Sequence, residues 1–275
     1  MKGLAGTLLG QEGSKRSEEE MEEEEEEDED GNPIPKAPDE LTRETETVAV
    51  ERPLLTCDRP DPFLCVMVDT TVRECLPLSL CVASNLTTLN LDNNSLKTVA
   101  SGVGMLSNLT LLSVRNNQLE SISWRLRYLF YLRELLVSNN NLTKLPSKIG
   151  RCFRLQVLDI KDNGIAWLPP TIGRLENLKL LDCSRNPISC LPHEVGGVDD
   201  EEHAKDIVGL RSIRSILLVE CENLRQLPSK MYRLTTLTEL DLEGSHGIVT
   251  PPYEVRKHGI PAVRDYLHWL YDGEV

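Results

Sequence analysis

A 23-residue pattern runs through the middle of the chain and constrains its fold more than any other feature. Counted with Leu155 as position 1, apolar residues recur at positions 1, 4, 6, 11, 14, 18 and 21. Five consecutive turns of the pattern keep one register, and the residues at position 9 are Asn94, Asn117, Asn140, Asn163 and Asn186. A fixed period of this length is typical of a solenoid, in which each repeat packs only against its neighbours.

The spacing inside the repeat predicts a short strand followed by a turn. Apolar residues at positions 4 and 6 have the period of a β-strand, so stacked repeats would form a parallel sheet with these side chains inside. The amide at position 9 can donate to and accept from backbone groups that the turn leaves unpaired. Such amides would form a structural ladder along the stack. A Leu-Pro pair at positions 14 and 15 then ends the strand pairing and begins an outer return.

The segment "LDIKDNGIAWLPPTIGRLEN" and its return as "LDCSRNPISCLPHEVGG" follow the pattern "LPxxIGxLxNLxxLDxxxN". This pattern resembles leucine-rich repeat proteins, and among them the short-repeat intracellular subclass found in Ras-pathway and junctional scaffold proteins. The resemblance covers residues 63–275. It implies an α/β solenoid with a concave parallel β-sheet, convex short helices or irregular turns, and a C-terminal capping helix.

The composition of the chain changes near residue 63. Upstream, the run from Glu18 to Asp30 has twelve carboxylates in thirteen residues, and their mutual repulsion opposes ordering. We therefore predict two parts: a disordered acidic tail and Pro-rich linker at 1–62, and a leucine-rich repeat domain at 63–275. The second part divides into a degenerate cap repeat at 63–85, repeats at 86–198, a charged insertion at 199–212, repeats at 213–254 and a C-terminal cap at 255–275.

The charge balance excludes a nucleic-acid partner. The formal net charge is -14, but residues 1–62 alone hold 20 acidic and 7 basic side chains, which leaves the remainder close to neutral. Binding to a phosphate backbone needs a basic face. The chain also lacks an apolar run of the roughly 18 residues that a membrane span requires. We therefore predict neither nucleic-acid binding nor a membrane span.

Motifs for catalysis or for a cofactor are missing from the sequence. It contains no phosphate-binding G-x-x-x-x-G-K-[ST], no zinc-binding H-E-x-x-H and no nucleophile elbow G-x-S-x-G. Its eight cysteines include no C-x-x-C pair, which favours reduced thiols in a cytoplasmic or nuclear protein. Cys183 and Cys190 are predicted to be buried, unreactive thiols. We therefore predict a protein that is not an enzyme and binds no metal or cofactor.

The variable residues between the apolar positions are the candidates for binding. Side chains at positions 2, 3, 5, 7 and 8 would point away from the core along the concave sheet. Apolar residues flanked by both charge signs are typical of a protein interface. The predicted partner-binding residues are Arg115, Arg133, Glu134, Leu136, Val157, Asp159, Lys161, Asp162, Leu180, Asp182 and Arg185. On the outer face, "SWRLRYLFYL" predicts a second exposed surface that includes some of Trp124, Tyr128 and Phe130.

Two functions fit this sequence best, and a third, an intracellular immune or pathogen-effector module, is suggested only by the later repeats that carry Cys221 and Ser245 in place of asparagine. The first is a monomeric scaffold or adaptor in intracellular signalling, for which the resemblance implies partners such as small GTPases or phosphatase subunits. The chain lacks the Arg/Lys-x-Val-x-Phe motif that docks phosphatase subunits. The alternative is an acidic histone-binding or chaperone-like nuclear protein that uses the carboxylate run, as acidic nuclear phosphoproteins with similar repeats do.

Overall fold

A computed structural model of the chain describes residues 86–99, 101–199 and 207–274, together with the backbone of 65–67. These residues belong to one structural unit that extends from Arg59 to Val275. The acidic run at 18–30, the Pro-rich linker and most of the predicted cap repeat at 63–85 lie outside the described residues.

Eight strands of three residues each form a single parallel sheet. Its strand order is β1-β2-β4-β6-β7-β8-β9-β10, so consecutive repeats are neighbours in the sheet. Two further strands, β3 and β5, pair in a separate two-stranded parallel sheet. The strands are β1 Cys65–Met67, β2 Thr88–Asn90, β3 Thr98–Val99, β4 Leu111–Ser113, β5 Ser121–Ile122, β6 Glu134–Leu136, β7 Val157–Asp159, β8 Leu180–Asp182, β9 Ser215–Leu217 and β10 Glu239–Asp241.

The register of the large sheet follows the repeat of the sequence. Leu112 lies opposite Leu89 on one side and Leu135 on the other, and Leu158 lies opposite Leu181. These position-4 leucines are at most 1% exposed, so the middle residue of each strand points into the core. The predicted solenoid with a parallel sheet is confirmed.

Short 3₁₀ helices make the return on the other side of the stack. Four of them follow a Leu-Pro pair, whose fixed φ suits the residue before a helix and whose missing N–H ends the strand pairing. Neighbouring helices pack so closely that a Cβ on Gly173 would lie 2.2 Å from the carbonyl oxygen of Glu194. The 3₁₀ helices are Ser101–Met105, Trp124–Tyr128, Ser147–Arg151, Pro170–Arg174, His193–Gly196 and Ser229–Arg233.

The position-9 asparagines join each repeat to the preceding one. Asn140 Oδ1 accepts the N–H of Leu119 at 3.0 Å, and its Nδ2 donates to the carbonyl of Val114 at 2.8 Å. The same amide also donates to Val137 within its own repeat. Asn117, Asn163 and Asn186 repeat this arrangement, and Asn94 donates to carbonyls within its own turn. Asn117, Asn140, Asn163 and Asn186 thereby each satisfy buried backbone groups of two turns.

Two later repeats replace this asparagine by smaller side chains. The thiol of Cys221 donates to the carbonyl of Cys183 at 3.4 Å, and the hydroxyl of Ser245 donates to Leu218 at 2.5 Å. The Ser245 hydroxyl also accepts the N–H of Cys221. The link between repeats therefore continues, with fewer hydrogen bonds for each side chain.

The residue before each of these positions has a left-handed backbone. Positive φ values between 52° and 59° occur at position 8 in six successive repeats, and Gly244 continues the series with a φ of 70°. Asparagine and aspartate tolerate this conformation better than other residues with a side chain. The six residues are Asn93, Asn116, Asn139, Asp162, Arg185 and Glu220.

The insertion leaves and re-enters the stack between two left-handed glycines. Gly197 has a φ of 86° and Gly209 a φ of 84°, and between them Val198 donates its N–H to the carbonyl of Ile207. Leu210 donates to Val195 and is fully buried, as Leu175 is in the preceding repeat. The repeat therefore resumes at Leu210, and the predicted insertion at 199–212 is revised to 198–209. Residues 200–206 are outside the described part.

Two helices close the C-terminal end of the stack, α1 at Tyr253–Arg256 and α2 at Ile260–Glu274. Val263 and Leu267 of α2 are buried against the core, whereas Trp269 is 68% exposed. The hydroxyl of Tyr271 donates to Asp199 Oδ2 at 2.9 Å and thereby ties the cap to the start of the insertion.

Asp199 also binds two cations of the last 3₁₀ helix. Its carboxylate lies 2.9 Å from Lys230 Nζ and 2.5 Å from an Arg233 nitrogen. Hydrogen bonds from Lys230, then Arg233 and Tyr271, lower the pKa of Asp199 well below the usual value. The carboxylate therefore stays ionised throughout the neutral range and holds the start of the insertion, at Asp199, against the cap.

Replacing one ladder amide should destabilise the whole stack. Asn140→Ala leaves the buried Leu119 N–H and Val114 carbonyl without their partner, so we expect the free energy of unfolding to fall by about 1–3 kcal/mol. Urea denaturation measures the change. Asn141→Ala is the matched control because Asn141 is the adjacent residue and its side chain is exposed. Equal stability of the two variants would contradict a structural role for the amide.

The left-handed position gives a second prediction. Asn139→Val should be less stable than Asn139→Gly by about 1–2 kcal/mol, because a β-branched residue at positive φ is strained and glycine is not. Both variants lose the Asn139 hydrogen bond to Asn116 Oδ1, so their difference isolates the backbone conformation. Thermal or urea unfolding of the pair is the measurement, and a valine variant at least as stable as the glycine variant would refute it.

Candidate partner-binding face

The sheet side of the stack carries the eleven residues that the sequence predicted to bind a partner. We call the surface formed by positions 2, 3, 5 and 7 of the repeats the sheet face. Position 3 carries Glu134, Val157 and Leu180, and position 5 carries Leu136, Asp159 and Asp182. Arg133 occupies position 2, Arg115 and Lys161 occupy position 7, and Asp162 and Arg185 occupy the left-handed position 8 at the rim.

Two rows of the sheet face contain both apolar and charged side chains. At position 3, Leu111, Glu134, Val157 and Leu180 follow one another in register, and each is half-buried. At position 5, the paired aspartates Asp159 and Asp182 have a leucine on each side, Leu136 and Leu217. Leu217 was not predicted, because the candidate residues were taken from the central repeats, although it is position 5 of the repeat that begins at Ile213.

One ion pair crosses the sheet face over two repeats. Arg115 Nη2 lies 3.0 Å from Asp159 Oδ2, and the Ser138 hydroxyl between them donates to the same oxygen at 2.9 Å. Only 14% of the Asp159 side chain is exposed, so this carboxylate is committed to contacts within the chain. Arg115 and Asp159 therefore shape the sheet face and are less available to a partner than the sequence predicted.

A second group of charges forms along the rim. Arg185 Nε lies 2.8 Å from Glu220 Oε2, and another of its nitrogens lies 3.7 Å from Asp162 Oδ1. The hydrogen bond and charge of Glu220, together with Asp162, raise the pKa of Arg185. Glu220 was not predicted. The sequence feature that could have identified Glu220 is its place at position 8, one repeat after Arg185.

Other charged residues of the sheet face have no such partner. Within the described ranges, Arg133, Glu134, Lys161 and Asp182 form no ion pair. Asp182 Oδ1 does accept the N–H of Ser184. These four residues and the half-buried apolar side chains are the part of the predicted set that remains open to a second protein.

The described residues show no grouping of side chains suited to hold a metal ion. No helix among them is both long and apolar enough to cross a bilayer. Cys152, Cys183 and Cys221 are buried, and burial raises the pKa of the Cys152 thiol to about 12. Cys190, predicted to be buried with Cys183, is exposed. Cys190 occupies position 13 of its repeat. The residues at position 13 of the two preceding repeats, Lys144 and Trp167, are exposed as well.

Comparison with known proteins agrees with the architecture. The sequence pattern that describes the leucine-rich repeat family matches residues 85–106 and 131–152. The leucine-rich repeat domain of the type III effector XopL has a similar structure, with a TM-score of 0.55 and 24% identity over 69% of this chain and 71% of that chain. No curated protein sequence matches the chain.

Two further solved structures are similar over part of their length. The leucine-rich repeat ectodomain of an Arabidopsis thaliana membrane receptor kinase, solved in complex with Casparian strip integrity factor 2, gives a TM-score of 0.52 and 23% identity over 63% of this chain. A leucine-rich repeat protein of Leptospira interrogans gives 0.48 and 23% identity over 64%. The match spans 20% of the receptor chain and 54% of the Leptospira chain.

The stacked sheet, the amide ladder and the matched repeats together define the class of fold: the chain has the leucine-rich repeat fold. Proteins of this class generally mediate protein–protein interaction, and the fold is typically a non-enzymatic interaction domain. Within the class, membership of the short-repeat intracellular subclass stays a prediction.

Thiol reactivity should separate Cys190 from the buried cysteines. At pH 8 iodoacetamide should modify Cys190 in the native protein and leave Cys152, Cys183 and Cys221 unmodified, because a buried thiol with a raised pKa forms almost no thiolate. Peptide mass spectrometry measures each site. Labelling in urea is the control and should modify all four. Native labelling of Cys183 at the rate of Cys190 would contradict the packing.

Proposed function

We propose that the chain is a non-enzymatic adaptor that binds a partner protein on its sheet face. The observation that carries this proposal is the set of half-buried apolar side chains at Leu111, Val157 and Leu180, which lie in register with Glu134 in one row of the parallel sheet. An aligned apolar row beside charges of both signs suits the centre and rim of a protein interface.

The ion pairs of the sheet face refine which residues bind. Arg115 and Asp159 are already bonded to each other, and Arg185 is bonded to Glu220 and Asp162. Breaking such a pair would cost part of what a new contact gains. We therefore assign the direct contacts to Leu136, Val157, Leu180, Lys161 and Asp182, and to Arg133 and Glu134 at the strand-start edge.

The finer parts of the proposal rest on the resemblance to intracellular repeat proteins. They are a role in signalling, a cytoplasmic or nuclear location, a monomeric state, and partners such as small GTPases or phosphatase subunits. The alternative of a histone-binding or chaperone-like protein depends on the carboxylate run at 18–30, which lies outside the described residues. No observation on the described part of the chain favours that alternative.

Site-specific photo-crosslinking tests the binding face. A photoreactive residue in place of Lys161 or Glu134 should capture a discrete partner in cells. The same residue in place of Glu120 should not, because Glu120 lies at position 12, away from the sheet face.

Substitution of residues in the apolar row then tests how much this row contributes to the free energy of binding. Val157→Ala/Leu180→Ala should weaken binding of the captured partner by about tenfold or more, because apolar side chains at the centre of an interface carry much of its energy. Glu120→Ala/Lys144→Ala is the control on exposed residues. Equal capture at all three positions, or unchanged affinity of the alanine variant, would refute the assignment.

A further inference from the structure

The helical side of two neighbouring repeats carries a cluster of cations that the proposed function does not use. Segments 123–133 and 146–156 together contain six basic residues and no acidic residue. Five of the six lie in or directly after the 3₁₀ helices, and within the described part of the chain none of these five forms an ion pair. They are Arg125, Arg127, Lys148, Arg151 and Arg154.

Large aromatic side chains are exposed among these cations. Phe130 is 50% exposed and Phe153 is 44% exposed, and they occupy the same position 22 of adjacent repeats. Tyr131 beside them is 46% exposed. The whole chain has only three phenylalanines, so two of the three are placed at one exposed site. Apolar surface concentrated in this way marks an interaction site more often than chance exposure does.

The arginines are held in place by stacking on rings. The Arg127 guanidinium lies 4.3 Å from the centre of the Trp124 ring and 4.8 Å from that of Tyr128, whose hydroxyl it also contacts at 2.7 Å. Arg154 lies 4.5 Å from the centre of the Tyr131 ring. A guanidinium stacked on a ring loses little further freedom when its edge N–H groups bind a carboxylate in bidentate geometry.

We propose that this arginine-aromatic surface, formed by Arg125, Arg127, Phe130, Arg151, Phe153 and Arg154, binds a short acidic segment of a partner protein. Carboxylates of the segment pair with the guanidinium groups, and an apolar side chain between them packs against the two phenylalanines. The charge of the surface selects the acidic segment, and the phenylalanines select one that also carries an apolar anchor.

The extent of the surface favours a peptide over a nucleic acid. The next repeat places Glu176 and Asn177 at positions 22 and 23, and the preceding repeat places Ser107 and Asn108 there. The run of cations without an acidic residue therefore covers two turns, about 5 Å apart in the stack, because the next repeat carries Arg174 together with Glu176. Nucleic-acid binding commonly tracks about 6–10 phosphates, which needs a longer basic stripe.

The local structure also argues against a membrane surface as the ligand. Binding in the plane of a bilayer uses a long amphipathic helix. The helices here are five-residue 3₁₀ segments, and Leu126 and Ile149 within them are buried in the core. Arginine, phenylalanine and tyrosine are instead the side chains enriched where two proteins meet.

Fluorescence anisotropy of the full chain tests the proposal. The probe is a labelled synthetic peptide of Glu-Glu-Leu repeats, and a Gln-Gln-Leu peptide is its uncharged control. Arg151→Glu/Arg154→Glu should weaken binding of the glutamate peptide by about tenfold or more, because it places carboxylates against carboxylates. Arg214→Glu/Arg264→Glu makes the same change in net charge elsewhere and should alter the affinity by less than about twofold.

A second variant separates the aromatic contribution from charge. Phe130→Ser/Phe153→Ser keeps every cation and should still weaken binding of the glutamate peptide by about fivefold, because it removes the apolar contact. Circular dichroism and thermal unfolding confirm that the variants are folded. Equal binding of both peptides, or an equal loss in both charge variants, would overturn the proposal. So would tighter binding of a single-stranded oligonucleotide or of phosphatidylserine vesicles than of the glutamate peptide, which would identify a phosphate-bearing ligand instead.

Discussion

The hydrogen bonds of the position-9 amides connect each turn of the chain to the turn before it, and the other regularities of the structure depend on them. Asn140 and Asn163 each bind backbone groups of two repeats, so a turn that slipped by one residue would leave buried donors and acceptors unpaired. Such a slip would also break the leucine register, the left-handed rim and the close packing of the outer helices. Where the amide is replaced, at Cys221 and Ser245, a thiol or hydroxyl still spans the same gap.

A repeat of this kind presents two independent surfaces with different chemistry. The sheet side places charges of both signs around half-buried aliphatic residues, and part of its charge is neutralised within the chain by Arg115 with Asp159. The helical side of two repeats carries arginines stacked on rings and no acidic residue. Since neither surface contributes a side chain to the core, both can vary without disturbing the ladder.

The sequence predicted the structural features that recur in every repeat, and it could not predict the contacts that occur only once. The spacing of leucine and asparagine was sufficient for the strands, the register and the outer returns, because every turn repeats the same packing problem. The ion pair between Arg115 and Asp159 spans 44 residues, and only the sheet register brings its partners together. The left-handed rim was hidden because Asp162, Arg185 and Glu220 take the place that asparagine holds in earlier repeats. In the same way, the charged residues of the insertion made it impossible to see in the sequence that the repeat pattern resumes at Leu210.

The two glycines at the neck of the insertion have a consequence for the history of the gene. Gly197 and Gly209 bring the departing and returning chain side by side, and Leu210 donates to the carbonyl of Val195 as Leu175 donates to that of Ile172 in the preceding repeat, which has no insertion. The pitch of the coil therefore does not depend on how many codons lie between these glycines. Among relatives of this sequence, we therefore expect the number of residues to vary between these glycines and to stay constant in the turns on either side.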